Sequence, residues 1–78
     1  MSLVLYGRPG CHLCDEARTA LERIGHAFEE VDIETDDALL VRYLERIPVV
    51  VLDGAELYDF FVDEVELRAR LDARVRRA

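Results

Sequence analysis

Two cysteines separated by two residues stand where a strand-like segment gives way to a helix-like one, and their position constrains the fold most. The apolar residues 3–6 lead into a turn-forming stretch at residues 7–10, which Cys11 and Cys14 follow directly. The first N–H groups of a helix are unpaired and its N-terminus carries about half a positive charge, so an anion there is stabilised. Because the reactive form of cysteine is the thiolate, we interpret Cys11 as a nucleophile and Cys14 as its resolving partner.

Strand-like and helix-like segments alternate along the whole chain and predict a single α/β domain spanning residues 1–78. The predicted elements are strands at residues 3–6, 28–33, 49–52 and 56–59 and helices at residues 11–24, 36–45 and from 63 onward. We expect Thr35 to cap the second helix and Asp63 to cap the third, with Glu66 at the capping-box position. A helical crossover makes the first two strands parallel and a hairpin makes the last two antiparallel, so the sheet is mixed.

Size and composition indicate a small globular domain whose cysteines do not serve as a structural disulfide. It has 78 residues, of which 51% are hydrophobic, enough to form one core. A disulfide between Cys11 and Cys14 closes almost no loop and therefore stabilises little, which favours a redox role. The opening residues lack the pattern of a secretory signal, and no segment has the roughly eighteen apolar residues of a membrane span. We therefore expect a cytoplasmic protein without a membrane partner.

The charge pattern argues against nucleic acid as a partner. The formal net charge is −7, whereas phosphate binding requires clustered cations. All ten basic residues are arginines, and five of them fall in the last eleven residues: Arg68, Arg70, Arg74, Arg76 and Arg77. A basic docking patch is one interpretation. We favour a helix whose last turns carry cations and whose first turn carries acids, because this arrangement complements the helix dipole.

Two segments resemble the motifs of a known family. Residues 6–14, Tyr-Gly-Arg-Pro-Gly-Cys-His-Leu-Cys, are similar to the active-site segment of glutaredoxins and their relatives in the thioredoxin-fold superfamily. Residues 46–54, Arg-Ile-Pro-Val-Val-Val-Leu-Asp-Gly, resemble their second motif, in which a cis-proline begins the third strand. The Cys-His-Leu-Cys-Asp-Glu run is similar to a group of small bacterial glutaredoxin-like proteins. The resemblance implies a thioredoxin/glutaredoxin-like fold, a four-stranded mixed sheet flanked by three helices in the order β-α-β-α-β-β-α.

The resemblance also implies a thiol–disulfide oxidoreductase that acts by dithiol exchange on protein or small-molecule disulfides. Arg8 occupies the place of a basic residue that precedes the nucleophile in the family and would supply positive potential. Pro48, if cis, would place the backbone of Ile47 facing Cys11, with its N–H and C=O presented to an extended substrate chain. Base rates alone favour a trans peptide before Pro48, and only the resemblance reverses that expectation. His12 belongs to the same site, where the helix N-terminus disfavours a cation, so we expect a neutral, exposed imidazole.

The chain departs from the glutathione-binding members of the family after the fourth strand. Those proteins carry a Gly-Gly pair there and then an acidic residue, whereas this chain has Phe60 and Phe61, followed by Asp63 in the acidic position. Bulky side chains prevent the close backbone approach that glycine permits, unless both phenylalanines simply belong to the core. We therefore expect protein disulfides as substrates and either a thioredoxin-type reductase or glutathione as electron donor. We expect a monomer with no metal and no other cofactor.

Other interpretations of the cysteine pair remain open at this point. A closed zinc site needs four ligands, and His12 and His26 are the only further histidines, so zinc would bridge two chains. A redoxin-like module could also hold an iron–sulfur cluster between two chains through Cys11, or act only as an adaptor. Visible absorbance of the purified protein would distinguish a cluster carrier from an oxidoreductase.

Overall fold

The structure of the protein, a computed structural model, describes residues 2–76 and confirms the predicted order of elements. The strands are β1 (Leu3–Gly7), β2 (Glu29–Asp32), β3 (Val49–Leu52) and β4 (Ala55–Asp59), and the helices are α1 (His12–Ile24), α2 (Asp37–Tyr43) and α3 (Glu64–Arg76). Within residues 2–76, no helix is both long enough and apolar enough to cross a membrane.

The four strands form one mixed sheet in the order β2-β1-β3-β4. β1 pairs in parallel with β2 and antiparallel with β3, and β3 pairs antiparallel with β4, as the connections predict. Tyr6 lies opposite Val49, and Gly7 lies beside Asp32. The end of β1 and the start of β3 therefore meet at the same edge of the sheet. This register brings together the cysteine segment and Pro48, which are far apart in sequence.

Alternation along the strands divides the core between the two faces of the sheet. One face packs against α1 and α3, and its buried residues are Leu3, Leu5, Ala17, Leu21, Val50, Leu52, Leu67 and Leu71. The other face packs against α2 and the turn before it, and its buried residues are Ile33, Tyr43, Val49 and Val51. Both faces of the central strands are covered, which explains why all four residues of β3 are apolar and buried.

Tyr43 joins α2 to the rest of the molecule through a cluster of polar and aromatic contacts. Its ring stacks on Tyr6 with centroids 4.9 Å apart, and its hydroxyl donates to Glu56 at 2.9 Å. Arg42 and Arg46 also bind Glu56, at 2.8 and 2.9 Å, while their guanidinium groups lie over the Tyr43 ring. Hydrogen bonds from Arg42, from Arg46 and from Tyr43 lower the pKa of Glu56 to about 2.

The second helix begins later than the sequence predicts, and the expectation that Thr35 caps it is wrong. Ile33–Thr35 form a separate 3₁₀ turn capped by Asp32, whose carboxylate accepts the Glu34 N–H at 2.9 Å. Asp36 is the N-cap of α2, and its side chain accepts the Ala38 N–H at 2.8 Å. The shift arises because Asp32 starts a turn of its own and so moves the helix start past Thr35.

The third helix has the predicted cap but only half of the capping box. The Asp63 carboxylate accepts the Glu66 N–H at 3.0 Å. The Glu66 side chain does not return the bond, because it binds the Tyr58 hydroxyl at 2.7 Å and Arg70 at 3.2 Å instead. Arg68 likewise pairs with Glu64, one turn earlier, at 3.4 Å. These two arginines therefore lie in helix-surface ion pairs, whereas the side chains of Arg74, Arg76 and Arg77 lie outside the described residues.

Candidate active site

Cys11 is the N-cap of α1, and its sulfur accepts a hydrogen bond from a backbone N–H of the first turn. Its backbone is extended, with φ −92° and ψ 114°, and its Sγ accepts the N–H of Cys14 at 3.3 Å. The residue before it, Gly10, has φ 77°, a left-handed conformation that favours glycine and turns the chain into the helix. Cys11 is partly exposed. The sulfur of Cys11 thus lies at the positive end of a helix, the position that the sequence predicts.

Cys14 differs from Cys11 in exposure and in acidity. Its side chain is 1% exposed, and burial, together with the hydrogen bond and charge of Cys11, raises the pKa of the Cys14 thiol to about 11. The backbone N–H of Arg8 has the opposite effect, since it stabilises the ionised sulfur. Cys14 therefore keeps its proton at neutral pH, and the accessible position for reaction belongs to Cys11.

Gly7 makes room for Cys14, a role that the sequence analysis missed. A Cβ built on Gly7 would lie 3.0 Å from the Cys14 Sγ and 3.2 Å from its Cβ, closer than ordinary van der Waals contact. The last residue of β1 must therefore lack a side chain if the second cysteine is to pack against the strand. The sequence does carry a signal for this role: a glycine ends a buried strand shortly before the cysteine motif.

The Ile47–Pro48 peptide bond is cis, as the family resemblance predicted, and Pro48 is fully buried. The expectation that Ile47 presents both of its main-chain groups to solvent is wrong for its N–H. That group donates to the Tyr43 carbonyl at 3.0 Å, because the chain leaving α2 continues the helical hydrogen bonding. Within the described residues, the Ile47 carbonyl accepts no hydrogen bond.

The remaining predicted site residues differ in their exposure and in whether their side chains already have bonding partners. Among the described residues, the exposed Arg8 side chain has no ion pair or hydrogen bond. His12 is 86% exposed, and its Nε2 lies 3.3 Å from the Glu16 carboxylate. The carboxylate of Asp63 is engaged in capping α3.

Phe60 and Phe61 lie in the loop between β4 and α3 and are exposed by 42% and 69%. The interpretation that they belong to the core is therefore wrong, because Leu67 and Leu71 fill the interior beneath α3. The N–H of Phe60 donates to the Pro48 carbonyl at 3.0 Å, which fixes this loop beside the start of β3. Phe60 has φ 66°, a left-handed conformation that is rare for a bulky side chain.

Within the part of the chain that the structure describes, no group of three or more His, Cys, Asp or Glu side chains is arranged to hold a metal ion. The zinc alternative would therefore need ligands from a second chain. What the described residues do assemble is a pair of thiols, one accessible and one shielded, at the N-terminus of a helix.

These features define the class: a thioredoxin-like mixed sheet with a C-x-x-C pair at the start of its first helix and a cis-proline at the start of its third strand. Residues 2–72 match the family described as Glutaredoxin-like domain (DUF836), and the chain belongs to that family. A search of curated proteins gives no match to this sequence.

Solved structures of similar proteins support the same assignment. The crystal structure of target protein XcR50 from X. campestris is 44% identical, with a TM-score of 0.78, over 92% of this chain and 97% of that one. Protein Ne2328 from Nitrosomonas europaea is 33% identical, with a TM-score of 0.74, over 88% of each chain. NrdH-redoxin from Escherichia coli is 27% identical, with a TM-score of 0.67, over 91% of this chain and 95% of that one. NrdH-redoxin is described as a glutaredoxin-like protein with a thioredoxin-like activity profile.

Proposed function

We propose that the protein is a cytoplasmic thiol–disulfide oxidoreductase that reduces protein disulfides by dithiol exchange. The observation that carries the proposal is the asymmetry of the cysteine pair. Cys11 is accessible and its sulfur sits at the first turn of α1, whereas Cys14 is buried with a raised pKa. An accessible thiolate followed by a shielded thiol is the order that attack and resolution require.

In the first step, the Cys11 thiolate attacks one sulfur of a substrate disulfide. The bond between the two substrate sulfurs breaks as the bond to Cys11 forms, and the other substrate sulfur leaves as a thiolate. The products are a mixed disulfide on Cys11 and one free substrate thiol. The N–H of Cys14, 3.3 Å from the Cys11 sulfur in the reduced protein, holds that sulfur in place before attack.

In the second step, Cys14 gives up its proton and attacks the Cys11 sulfur, which releases the remaining substrate thiolate. Two of the influences that raise the pKa of Cys14 come from Cys11, namely its hydrogen bond and its charge. Both are lost once Cys11 is held in a mixed disulfide, while the Arg8 backbone N–H still stabilises the Cys14 thiolate. The pKa of Cys14 therefore falls when its attack is needed. The protein leaves this step oxidised, and the two substrate sulfurs, reduced by two electrons, take up one proton from Cys14 and one from water.

Around the sulfurs, we propose that Arg8 attracts anionic groups and that the Ile47 carbonyl accepts a main-chain hydrogen bond from the substrate. Pro48 is itself fully buried, so its proposed role is to position this carbonyl and not to contact the substrate. We propose that His12, at the start of α1, and Asp63, at the start of α3, contact longer substrates.

We propose that a thioredoxin-type reductase, rather than glutathione, returns electrons to the pair. The thioredoxin-like activity profile of the NrdH-redoxin relative supports this choice. The exposed phenylalanines where glutathione-binding relatives carry glycines also support it, because a small peptide cannot approach the backbone there. A coupled assay with an insulin disulfide substrate tests the choice by comparing NADPH oxidation with thioredoxin reductase and with glutathione plus glutathione reductase. Faster turnover with glutathione would reverse it.

Two variants test the assignment of the cysteines. Cys14→Ser retains the nucleophile but cannot resolve, so it should accumulate mixed disulfides that mass spectrometry detects. Cys11→Ser should show no exchange, even with a small disulfide such as hydroxyethyl disulfide. Exchange by the Cys11→Ser protein would show that the nucleophile has been misassigned.

A further inference from the structure

A shallow groove of about 200 Å³ runs between α1 and the loop before α3. Its apolar lining consists of Leu13, Ala17 and Ala20 on the helix side and Phe60, Phe61 and Val62 on the loop side. Three lining residues are charged: Arg23 and Glu64 are paired with each other at 2.8 Å, and the Glu16 carboxylate lies 3.3 Å from the His12 ring. The groove therefore offers a ligand apolar side chains together with the Glu16 carboxylate.

The groove is continuous with the surface around Cys11. Leu13 lies between the two cysteines in sequence and within the first turn of α1. Phe60 is bonded through its N–H to the Pro48 carbonyl, at the start of the strand that faces the cysteine segment. The groove therefore borders the first turn of α1, which Cys11 caps, so a polypeptide bound at Cys11 has the groove beside it.

The positions of Phe60 and Phe61 contribute little to the stability of the fold. Phe60 adopts a left-handed backbone that L-residues with large side chains avoid, and both rings remain substantially in water. Backbone strain of this kind persists at sites where the resulting geometry serves binding. Exposed aromatic surface beside a reactive group is likewise typical of an interaction site.

We propose that this groove binds a large apolar side chain of the client protein, close in sequence to the client's disulfide cysteine. The inference rests on the proposed function and adds the class of substrate to it. Glutathione has no apolar side chain of that size, so the groove favours polypeptide disulfides over glutathione disulfide. Phe60 and Phe61 are in this sense specificity residues, which contact the client without taking part in the exchange.

A single-turnover assay tests the inference without requiring knowledge of the electron donor. The reduced protein is mixed with symmetrical peptide disulfides. In the reference peptide, the two residues before cysteine and the two after it are all serine. In each of the other peptides, phenylalanine replaces one of these four serines. We expect at least one phenylalanine peptide to react about tenfold faster than the all-serine peptide. Phe61→Ser should abolish that preference, so that the phenylalanine peptides react no faster than the all-serine peptide. The matched control is Val41→Ser on α2, which removes an 87% exposed apolar residue from the other face and should keep the preference.

The outcomes separate this inference from the proposed function. Equal rates for all peptides, or a preference that survives Phe61→Ser, would overturn the groove while leaving the oxidoreductase assignment intact. A failure to react with any disulfide, including hydroxyethyl disulfide, would overturn the oxidoreductase assignment. In that case, an NMR titration with the phenylalanine peptides, each carrying serine in place of cysteine, still reports on the groove. Ring resonances of Phe60 and Phe61 should shift on addition of the peptide, and unshifted resonances would reject the groove as a client site. A dimer in sedimentation that Phe61→Ser dissociates would also reject it, because the groove would then bind a second copy of the chain.

Discussion

Replacing Gly7 by alanine should destabilise the protein by forcing Cys14 out of its place. The added Cβ would sit 3.0 Å from the Cys14 sulfur, so one of the two groups must move by several tenths of an ångström within a packed interior. Overpacking of this kind costs about 1–3 kcal/mol, and the lower chain entropy of alanine returns about 0.5–1 kcal/mol. We expect the free energy of unfolding to fall by about 1–2 kcal/mol. In urea this corresponds to a midpoint lowered by about 1 M.

A double-mutant cycle with Cys14→Ala identifies the cause of that loss. Because Cys14→Ala removes the sulfur that Gly7→Ala contacts, the double variant should be about 1 kcal/mol more stable than the sum of the single effects predicts. Gly54→Ala is the matched control, since Gly54 has φ 84° and open space where a Cβ would be added. Its cost comes from the backbone alone and should add to that of Cys14→Ala. Simple additivity for the Gly7 pair would refute the steric explanation.

Three further predictions concern the thiols, the Glu56 carboxylate and a helix cap. Limiting iodoacetamide at pH 7 should label Cys11 before Cys14, as peptide mapping would show, and equal labelling would contradict the assigned asymmetry. Because its partners lower the pKa of Glu56 to about 2, its stabilising contribution is complete above about pH 4.5 and is lost as the pH falls towards 2. Urea unfolding of Glu56→Gln should therefore depend less on pH over that range than unfolding of the unmodified protein. Asp63→Ala should lower the free energy of unfolding by about 1 kcal/mol in the same assay, whereas Asp63→Asn should retain most of it.

The order of the elements and the position of Cys11 could be predicted because each depends on local signals. Apolar spacing, the glycine at position 25 and the Asp53-Gly54 turn define helices and strands within short windows. The cis bond at Pro48 was different, since nothing in the local sequence indicated it. That prediction relied entirely on the resemblance between residues 46–54 and a family motif.

The features that the sequence did not predict depend on contacts between distant segments. Gly7 matters because α1 folds back so that Cys14 meets the end of β1. The N–H of Ile47 is occupied because α2 ends one turn before it. Phe60 and Phe61 contain enough apolar surface for a core, and only the packing of α3 shows that the interior is already filled. Hydrophobicity alone therefore could not separate these binding-surface candidates from core residues.

The short helix α2 has a consequence for the energy available when an extended chain docks. Its last residue, Tyr43, accepts the N–H groups of both Arg46 and Ile47, at 2.8 and 3.0 Å. A substrate polypeptide that accepted a hydrogen bond from the Ile47 N–H would first have to displace the Tyr43 carbonyl. Seven-residue helices fray readily, so the two arrangements exchange by local opening. A substrate that bonds to both the N–H and the C=O of Ile47 therefore binds only those molecules in which the end of α2 is open. Its apparent affinity is the intrinsic affinity multiplied by the fraction of such molecules.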